Sequence, residues 1–176
     1  PVVITPTRLK QSLADVPASV SIITAETIAR YGLQSVQEAL RLVPGMAITK
    51  SVNDEYLVNY HGTYTLYPRR MNVLIDGVSV YRPSFSRVDW GRLPVLMEDI
   101  DRIEVIRGPD SAAYGPNSMM AIINILTKHP QDVESALVSV AGGTRGDTEY
   151  LVRLATRLGD SSVRATYGDS VVAAYD

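Results

Sequence analysis

The sequence contains no cysteine, which excludes disulfide staples, thiolate metal sites and cysteine nucleophiles together. A broad basic character is missing as well. The formal net charge is −2, so the wide positive field that nucleic-acid binding draws on is absent and no nucleic-acid partner is expected. Lysine is confined to Lys10, Lys50 and Lys128, and the other cations are arginines. Arginine suits fixed bidentate pairing with carboxylates better than lysine does, although a GC-rich gene gives the same skew. No apolar run approaches the roughly 18 residues of a membrane-spanning helix. Pro1 is followed by neither a charged n-region nor an apolar h-region, so any signal peptide is expected to have been removed or left out. The chain is therefore expected to be soluble or to lie within another structure. No HExxH pair, G-x-S-x-G elbow, P-loop or dinucleotide fingerprint occurs. Gly168-Asp169-Ser170 resembles a hydrolase serine only faintly, with His61 and His129 far upstream.

A length of 176 residues suits one ordinary domain with an appendage and suffices to bury a core. Val2 to Thr5 are β-branched throughout and end at Pro6, which predicts an extended, exposed segment. Ser19 to Thr24 reads as a strand. Thr24 then caps a short helix with Glu26 in its first turn and Gly32 as its stop. Ser35 and Glu38 form a capping box, each able to satisfy the other's backbone donor. Val36, Ala39, Leu40 and Val43 follow at helical spacing until Pro44-Gly45. Met46 to Thr49 and Leu57 to Tyr60 read as strands around a polar loop. Met71 to Ile75 and Val78 to Tyr81 flank Asp76-Gly77, a dipeptide that favours positive φ and a two-residue hairpin. An aromatic and basic loop from Arg82 to Arg92 follows, then a helical turn near Pro94 to Glu98.

The most informative stretch runs from Asp99 to Lys128. It holds the strand Ile103-Glu104-Val105-Ile106-Arg107, the turn Gly108-Pro109, the segment Ser111-Ala112-Ala113-Tyr114-Gly115 and the apolar strand Ile122-Ile123-Asn124-Ile125-Leu126. Ahead of it stand Asp15-Val16-Pro17-Ala18-Ser19-Val20, then Glu38-Ala39-Leu40 with Val43-Pro44-Gly45, then Val73-Leu74-Ile75-Asp76-Gly77-Val78. Each segment alone is weak. In this order, from about Val2 to Lys128, they closely resemble the plug domain of TonB-dependent outer-membrane receptors.

That resemblance implies an α+β fold: a compact mixed β-sheet plug with short flanking helices, then a β-rich tail corresponding to the first barrel strands. The plug would occupy residues 1–130, with a Ton-box-like extended segment at 1–7. Residues 131–176 would begin an incomplete transmembrane β-barrel, with the boundary near Lys128 to Glu134. In that tail Ala136 to Ala141 reads as a strand, whereas Tyr150 to Leu158 fits two periods. As a strand, Tyr150, Val152, Leu154 and Leu158 face one way and Glu149, Arg153 and Arg157 the other. As a helix, Tyr150, Leu151, Leu154, Ala155 and Leu158 form an equally good stripe. A barrel wide enough for a plug needs about twenty or more strands, so the chain is expected to be a piece whose open tail at 136–176 invites self-association.

The resemblance also implies roles. Val2, Val3, Ile4 and Thr5 correspond to the Ton box, which adds a strand to TonB; an ordinary first strand or tail is the plainer alternative. Arg107, with Glu104 and Arg70, corresponds to the latch between plug and barrel wall; a surface ion pair of Arg107 with Asp101 or Glu104 is the alternative. The family often has a second arginine where this chain has His61-Gly62; either Arg69 or Arg70 substitutes for it, or the latch is partly pH-sensitive through the histidine. Asn53, Tyr64, Tyr67, Tyr81, Arg82, Phe85 and Trp90 would meet a ligand, since tyrosine and tryptophan offer rigid surface with one polar handle. Several could equally be packing residues. The implied function is gated import of an iron–siderophore, cobalamin, haem or glycan through the protein's own transmembrane β-barrel, opened by TonB. The implied location is the Gram-negative outer membrane, with no catalysis and no cofactor. A periplasmic interaction module and a small hydrolase are the competing readings.

Overall fold

Short apolar runs punctuated by glycine and proline give this chain many brief strands and, among the described residues, two brief helices. The computed structural model describes residues 2–3, 11–12, 14, 18–50, 56–61, 70–85, 87–108, 114–115, 117–143 and 148–171. In chain order the elements are β1 (Val2–Val3), β2 (Gln11–Ser12), β3 (Ser19–Thr24), α1 (Ala25–Tyr31), α2 (Val36–Leu40), β4 (Met46–Lys50), β5 (Tyr56–Tyr60), β6 (Met71–Ile75), β7 (Val78–Ser79), β8 (Ile100–Arg107), β9 (Ala121–Thr127), β10 (Ala136–Gly142), β11 (Thr148–Leu158) and β12 (Ser161–Val171). Single 3-10 turns occur at Pro83–Phe85, Trp90–Arg92 and Met97–Asp99. They divide into two compact units, Pro1–Thr127 and Lys128–Asp176.

The first unit is built on a five-stranded sheet in the order β3-β8-β9-β6-β7. Only β6 and β9 run parallel; the other pairs are antiparallel. Strand periodicity sorts its side chains onto two unlike faces. One face carries Ile23, Ile103, Val105, Ile123, Ile125 and Val73, in register across the sheet. These join Ile28 of α1, Val36, Ala39 and Leu40 of α2, and Val58 of β5 in a single buried cluster. The other face has a smaller apolar patch of Leu74, Ile106 and Ile122, and beside it the buried polar residues Glu104, Asn124 and Asn72.

Local chemistry sets the ends of the helices. Thr24 caps α1 by accepting a hydrogen bond from Thr27 N, and Gly32 closes it with φ +61°. Ser35 Oγ accepts from Glu38 N at 3.2 Å. Glu38 Oε2 in turn accepts from Gln34 N at 2.9 Å, one residue earlier than a reciprocal box requires. The helix ends at Leu40, so Val43 reaches the core from the turn that follows.

The Asp76-Gly77 hairpin has φ +48° and +83°, the pair of positive values that a type I′ turn demands. Two side chains tie it down. Asn124 Oδ1 accepts from Gly77 N at 3.1 Å. Asp76 accepts from Thr127 N at 2.8 Å and from Thr127 Oγ1 at 2.9 Å.

In the second unit β10, β11 and β12 form an antiparallel sheet in that order. This decides the two-period segment in favour of the strand: β11 spans 11 residues. Along it Leu151, Arg153 and Ala155 are buried while Tyr150, Val152 and Leu154 are exposed. The register sets Val138 and Val140 beside Val152 and Tyr150, and Tyr167 and Val163 on the same outer face.

Two glycines with similar dihedrals should respond differently to alanine. At Gly77 (φ +83°) a Cβ meets open space, so Gly77→Ala should cost about 1–2 kcal/mol from backbone strain alone. At Gly45 (φ +84°) a Cβ would stand 2.8 Å from Tyr60 Cε2, so Gly45→Ala should cost clearly more. Urea titration followed by the fluorescence of Trp90, the single tryptophan, measures both. Equal losses would contradict this account.

Candidate functional site

The strands of the sheet have chemically unlike ends. Arg107 pairs with Ala121, which pairs with Met71, so Arg107 and the neighbouring Arg70 lie at one end. Gly108 N donates to the Met120 carbonyl and Met120 N to the Arg70 carbonyl, both at 2.9 Å, which knits that end together. The bond from Val80 N to the Val73 carbonyl continues the β6–β7 register, so Tyr81 and Arg82 follow towards the same end. Arg82 and Arg87 form an isolated antiparallel bridge. The result is a cationic end built from Arg70, Arg82, Arg87 and Arg107. At the opposite end stand Asp76, Glu98, Asp99 and Asp101, around the meeting of Ile100 with Thr127. Eight residues of β8 separate the two ends, about 23 Å of strand.

The loop at the cationic end is strapped rather than open. Arg82 N donates to the Arg87 carbonyl at 2.9 Å and Phe85 N to the Arg82 carbonyl at 3.1 Å. Arg82 also pairs with Asp89 at 3.5 Å. Phe85 sits at the tip, 61 % exposed, and Tyr81 is half-buried. Tyr81, Arg82 and Phe85 lie together in this loop. Trp90 does not join them. It is 8 % exposed and belongs to the main buried cluster, where its ring packs. Asn53, Tyr64 and Tyr67 lie outside the described residues.

The structure does not bring Arg107 and Glu104 together. Three residues apart on a strand, their side chains leave opposite faces: Arg107 shares the face of Val105, and Glu104 that of Ile106. Glu104 is wholly buried and accepts from Arg102 Nε at 2.8 Å. Asp101, the extra residue where the β8–β9 register shifts, accepts from Arg102 Nη1 at 2.5 Å. Neither acid pairs with Arg107, so the surface-pair alternative fails as well. Arg107 Nε is buried and has no hydrogen-bond partner among the described residues. Burial works against the charge of Arg102, but its bonds to Glu104 and Asp101 outweigh that and raise its pKa above the ordinary value.

Arg102 carried no motif that would have singled it out. Its i,i+2 spacing from Glu104 in an apolar strand was the available signal, because such a pair shares a face. His61 closes the β4–β5 ladder: its N donates to the Gly45 carbonyl at 2.9 Å and its ring meets Tyr60 edge-on, 4.1 Å between centroids. Val2 and Val3 pair with Ser12 and Gln11, while Ile4 and Thr5 lie outside the described residues.

The family model of the TonB-dependent receptor plug domain matches residues 12–122, more than half of the chain. The chain belongs to the TonB-dependent receptor plug family. Among curated proteins it is 30 % identical over 160 residues to the vitamin B12 transporter BtuB of Photobacterium profundum, covering 90 % of this chain and 26 % of that protein. The BtuB of Vibrio vulnificus is 28 % identical, over 84 % of this chain and 24 % of the relative. The chain therefore spans about a quarter of the length of these relatives. Among solved structures, the pyoverdine outer-membrane receptor FpvA of Pseudomonas aeruginosa superposes with a TM-score of 0.75 at 21 % identity, over 96 % of this chain and 24 % of that one. The alcaligin outer-membrane receptor FauA of Bordetella pertussis gives 0.73 at 23 % identity, over 95 % and 29 %. The mixed sheet with short helices is thus a plug-domain fold, and the named relatives are transporters and receptors.

Within this plug the Arg102 triad should behave asymmetrically. Arg102→Met strips the buried Glu104 of its guanidinium and should cost roughly 3–5 kcal/mol. Asp101→Asn, at a side chain 46 % exposed, should cost about 1 kcal/mol or less. Chemical denaturation of the two variants tests this, and comparable losses would refute the assignment of Glu104 as the partner that matters.

Proposed function

We propose that this chain is the plug and first barrel strands of an outer-membrane receptor that imports a scarce nutrient and is opened by TonB. The observation that carries this reading is the gathering of Arg70, Arg82, Arg87, Tyr81 and Phe85 at one end of a plug-family sheet. An end so composed suits an anionic ligand with flat or apolar surface, the character of a ferric chelate more than of a neutral corrinoid or a glycan. Among relatives, both a vitamin B12 transporter and pyoverdine and alcaligin receptors occur, so either ligand type is within the family's range. Ligand at this end and TonB at Val2–Thr5 would act on the same plug. The residues that would latch it to its barrel are Arg107 and Arg70; Glu104 serves the interior instead.

Residues 131–176 fit the start of the barrel. Strands β11 and β12 each have 11 residues, close to the 9–11 that cross a bilayer. Their exposed face is Val152, Leu154, Leu158 and Val163, with Tyr150 and Tyr167 towards one end. The opposite face carries Glu149, Arg153, Arg157 and Arg164. That is the apolar-out, polar-in alternation of an outer-membrane barrel. Cut from its neighbours, such a sheet would self-associate through its edge strands.

The N-terminal segment acts by strand addition, in which backbone hydrogen bonds supply affinity. Proline removes a donor and blocks the ladder. Val3→Pro in the full-length receptor should abolish uptake and site-specific cross-linking to TonB while leaving ligand affinity unchanged. Normal uptake by that variant would sink the reading. Independently, Leu154→Arg should destabilise the receptor in lipid by about 2–4 kcal/mol, measured by reversible unfolding in liposomes. Tolerance of arginine there would argue against a lipid-facing position.

A further inference from the structure

Gln37 is a polar residue in an apolar place. It lies on α2 and is only 4 % exposed, and its neighbours Val36, Ala39 and Leu40 are buried with it. Packing alone would favour leucine or methionine at this position, since a buried amide is costly unless bonded. Its donor is used far along the chain. Gln37 Nε2 donates to the Trp90 carbonyl at 2.7 Å, across 53 residues of sequence. Trp90 opens the 3-10 turn Trp90–Arg92, directly after the segment strapped by Arg82 and Asp89. The Trp90 ring also belongs to the buried cluster that contains the apolar face of α2. Loop and helix thus meet through one directional contact set within a non-directional one.

We propose that Gln37 is a positioning residue that couples the 82–92 loop to helix α2, so that a ligand which shifts the loop also shifts the stability of the helix. This rests on reading the loop as ligand-facing. A polar tie serves such coupling better than packing does, because it has two discrete conditions, made and broken, whereas apolar contacts tolerate sliding. Coupling between two places is reciprocal: loosening the helix must also loosen the loop.

The test needs no ligand. In the full-length receptor in detergent, Asp89→Ala loosens the loop strap and Ser35→Ala removes the α2 cap. Amide hydrogen exchange is then read at the opposite partner. Asp89→Ala should speed exchange of the 39–43 amides, and Ser35→Ala that of the 90–93 amides, each by roughly two- to tenfold, the scale of one net hydrogen bond. In a Gln37→Met background, which keeps side-chain length and helix propensity, both cross-effects should vanish although each local effect remains. Should Gln37→Met fail to fold, Gln37→Asn keeps the amide one methylene short of the carbonyl and gives the same readout. A purely structural glutamine would lower protection everywhere and leave the cross-effects intact. Cross-effects missing in the unmodified background, or undiminished in the Gln37 variants, overturn the proposal. Because no ligand is used, these outcomes are separate from those of the Val3→Pro experiment, which tests the import reading itself.

Discussion

The pairing of β8 with β9 is the constraint on which the first unit depends. Seven residue pairs join them, and β9 takes β6 on its other side in parallel. A parallel neighbour requires a crossover rather than a hairpin, and here the crossover is the whole stretch from Asp76 to Met120. That stretch contains the strapped loop, the acidic turn and β8 itself. Both faces of β8 and β9 are covered, so Ile103, Val105, Ile123 and Ile125 pack under the helices while Ile106 and Ile122 pack on the reverse side. A one-residue slip would exchange these faces and set Glu104 among the isoleucines. Register and burial of charge are therefore one constraint.

Glu104 makes that constraint specific. An ion pair taken out of water adds little net stability compared with apolar residues of equal volume. Removing one partner is costly, however, and because Arg102 and Glu104 share one strand and one face, a one-residue slip would carry the whole pair onto the isoleucine face. The shift between Ile100 and Arg102 inserts Asp101 where the strand begins, and a bulge of this kind re-aims side chains and strengthens twist. The guanidinium then lies between two carboxylates, at the end of the sheet that already carries Asp76, Glu98 and Asp99. At the cationic end Arg82 pairs with Asp89 at 3.5 Å.

Much of this was legible in the residues. The Thr24 and Ser35 caps, the Asp76-Gly77 turn and the plug signature rest on local chemistry, and local chemistry is what a sequence displays. The separation of Glu104 from Arg107 was legible too, because counting three residues along a strand sets them on opposite faces. The burial of Trp90 was not. In a loop rich in polar residues its large surface suits exposure to a ligand, and only tertiary packing against the helices claims it for the core. Gln37 was invisible because its partner is a backbone carbonyl, which no side-chain pattern announces. The two periods of Tyr150 to Leu158 were decided by cross-strand partners: Val138 and Val140 on one side and Tyr167 on the other make the strand face continuous, and a lone helix offers no such continuation.

The strengths of the ladders also order the structure by ease of opening. β1 and β2 share two residue pairs, while β8 and β9 share seven. If each net hydrogen bond contributes about 1 kcal/mol, a partner strand offering a longer ladder displaces the first pairing without disturbing the second. On the proposed reading, the N-terminal edge would be surrendered to TonB by this exchange. Local opening free energies range from near zero at such margins to the global value in the core. A pull applied at Val2 and Val3 would therefore spend its first work on the terminal pair. The β3–β8 ladder has six pairs. Because β3 lies at the edge of the sheet, its loss would uncover β8 while leaving the β8–β9–β6 centre paired. If the proposed pull at the N-terminus acts, an edge position for β3 would let the plug yield in steps, which a central position would not allow.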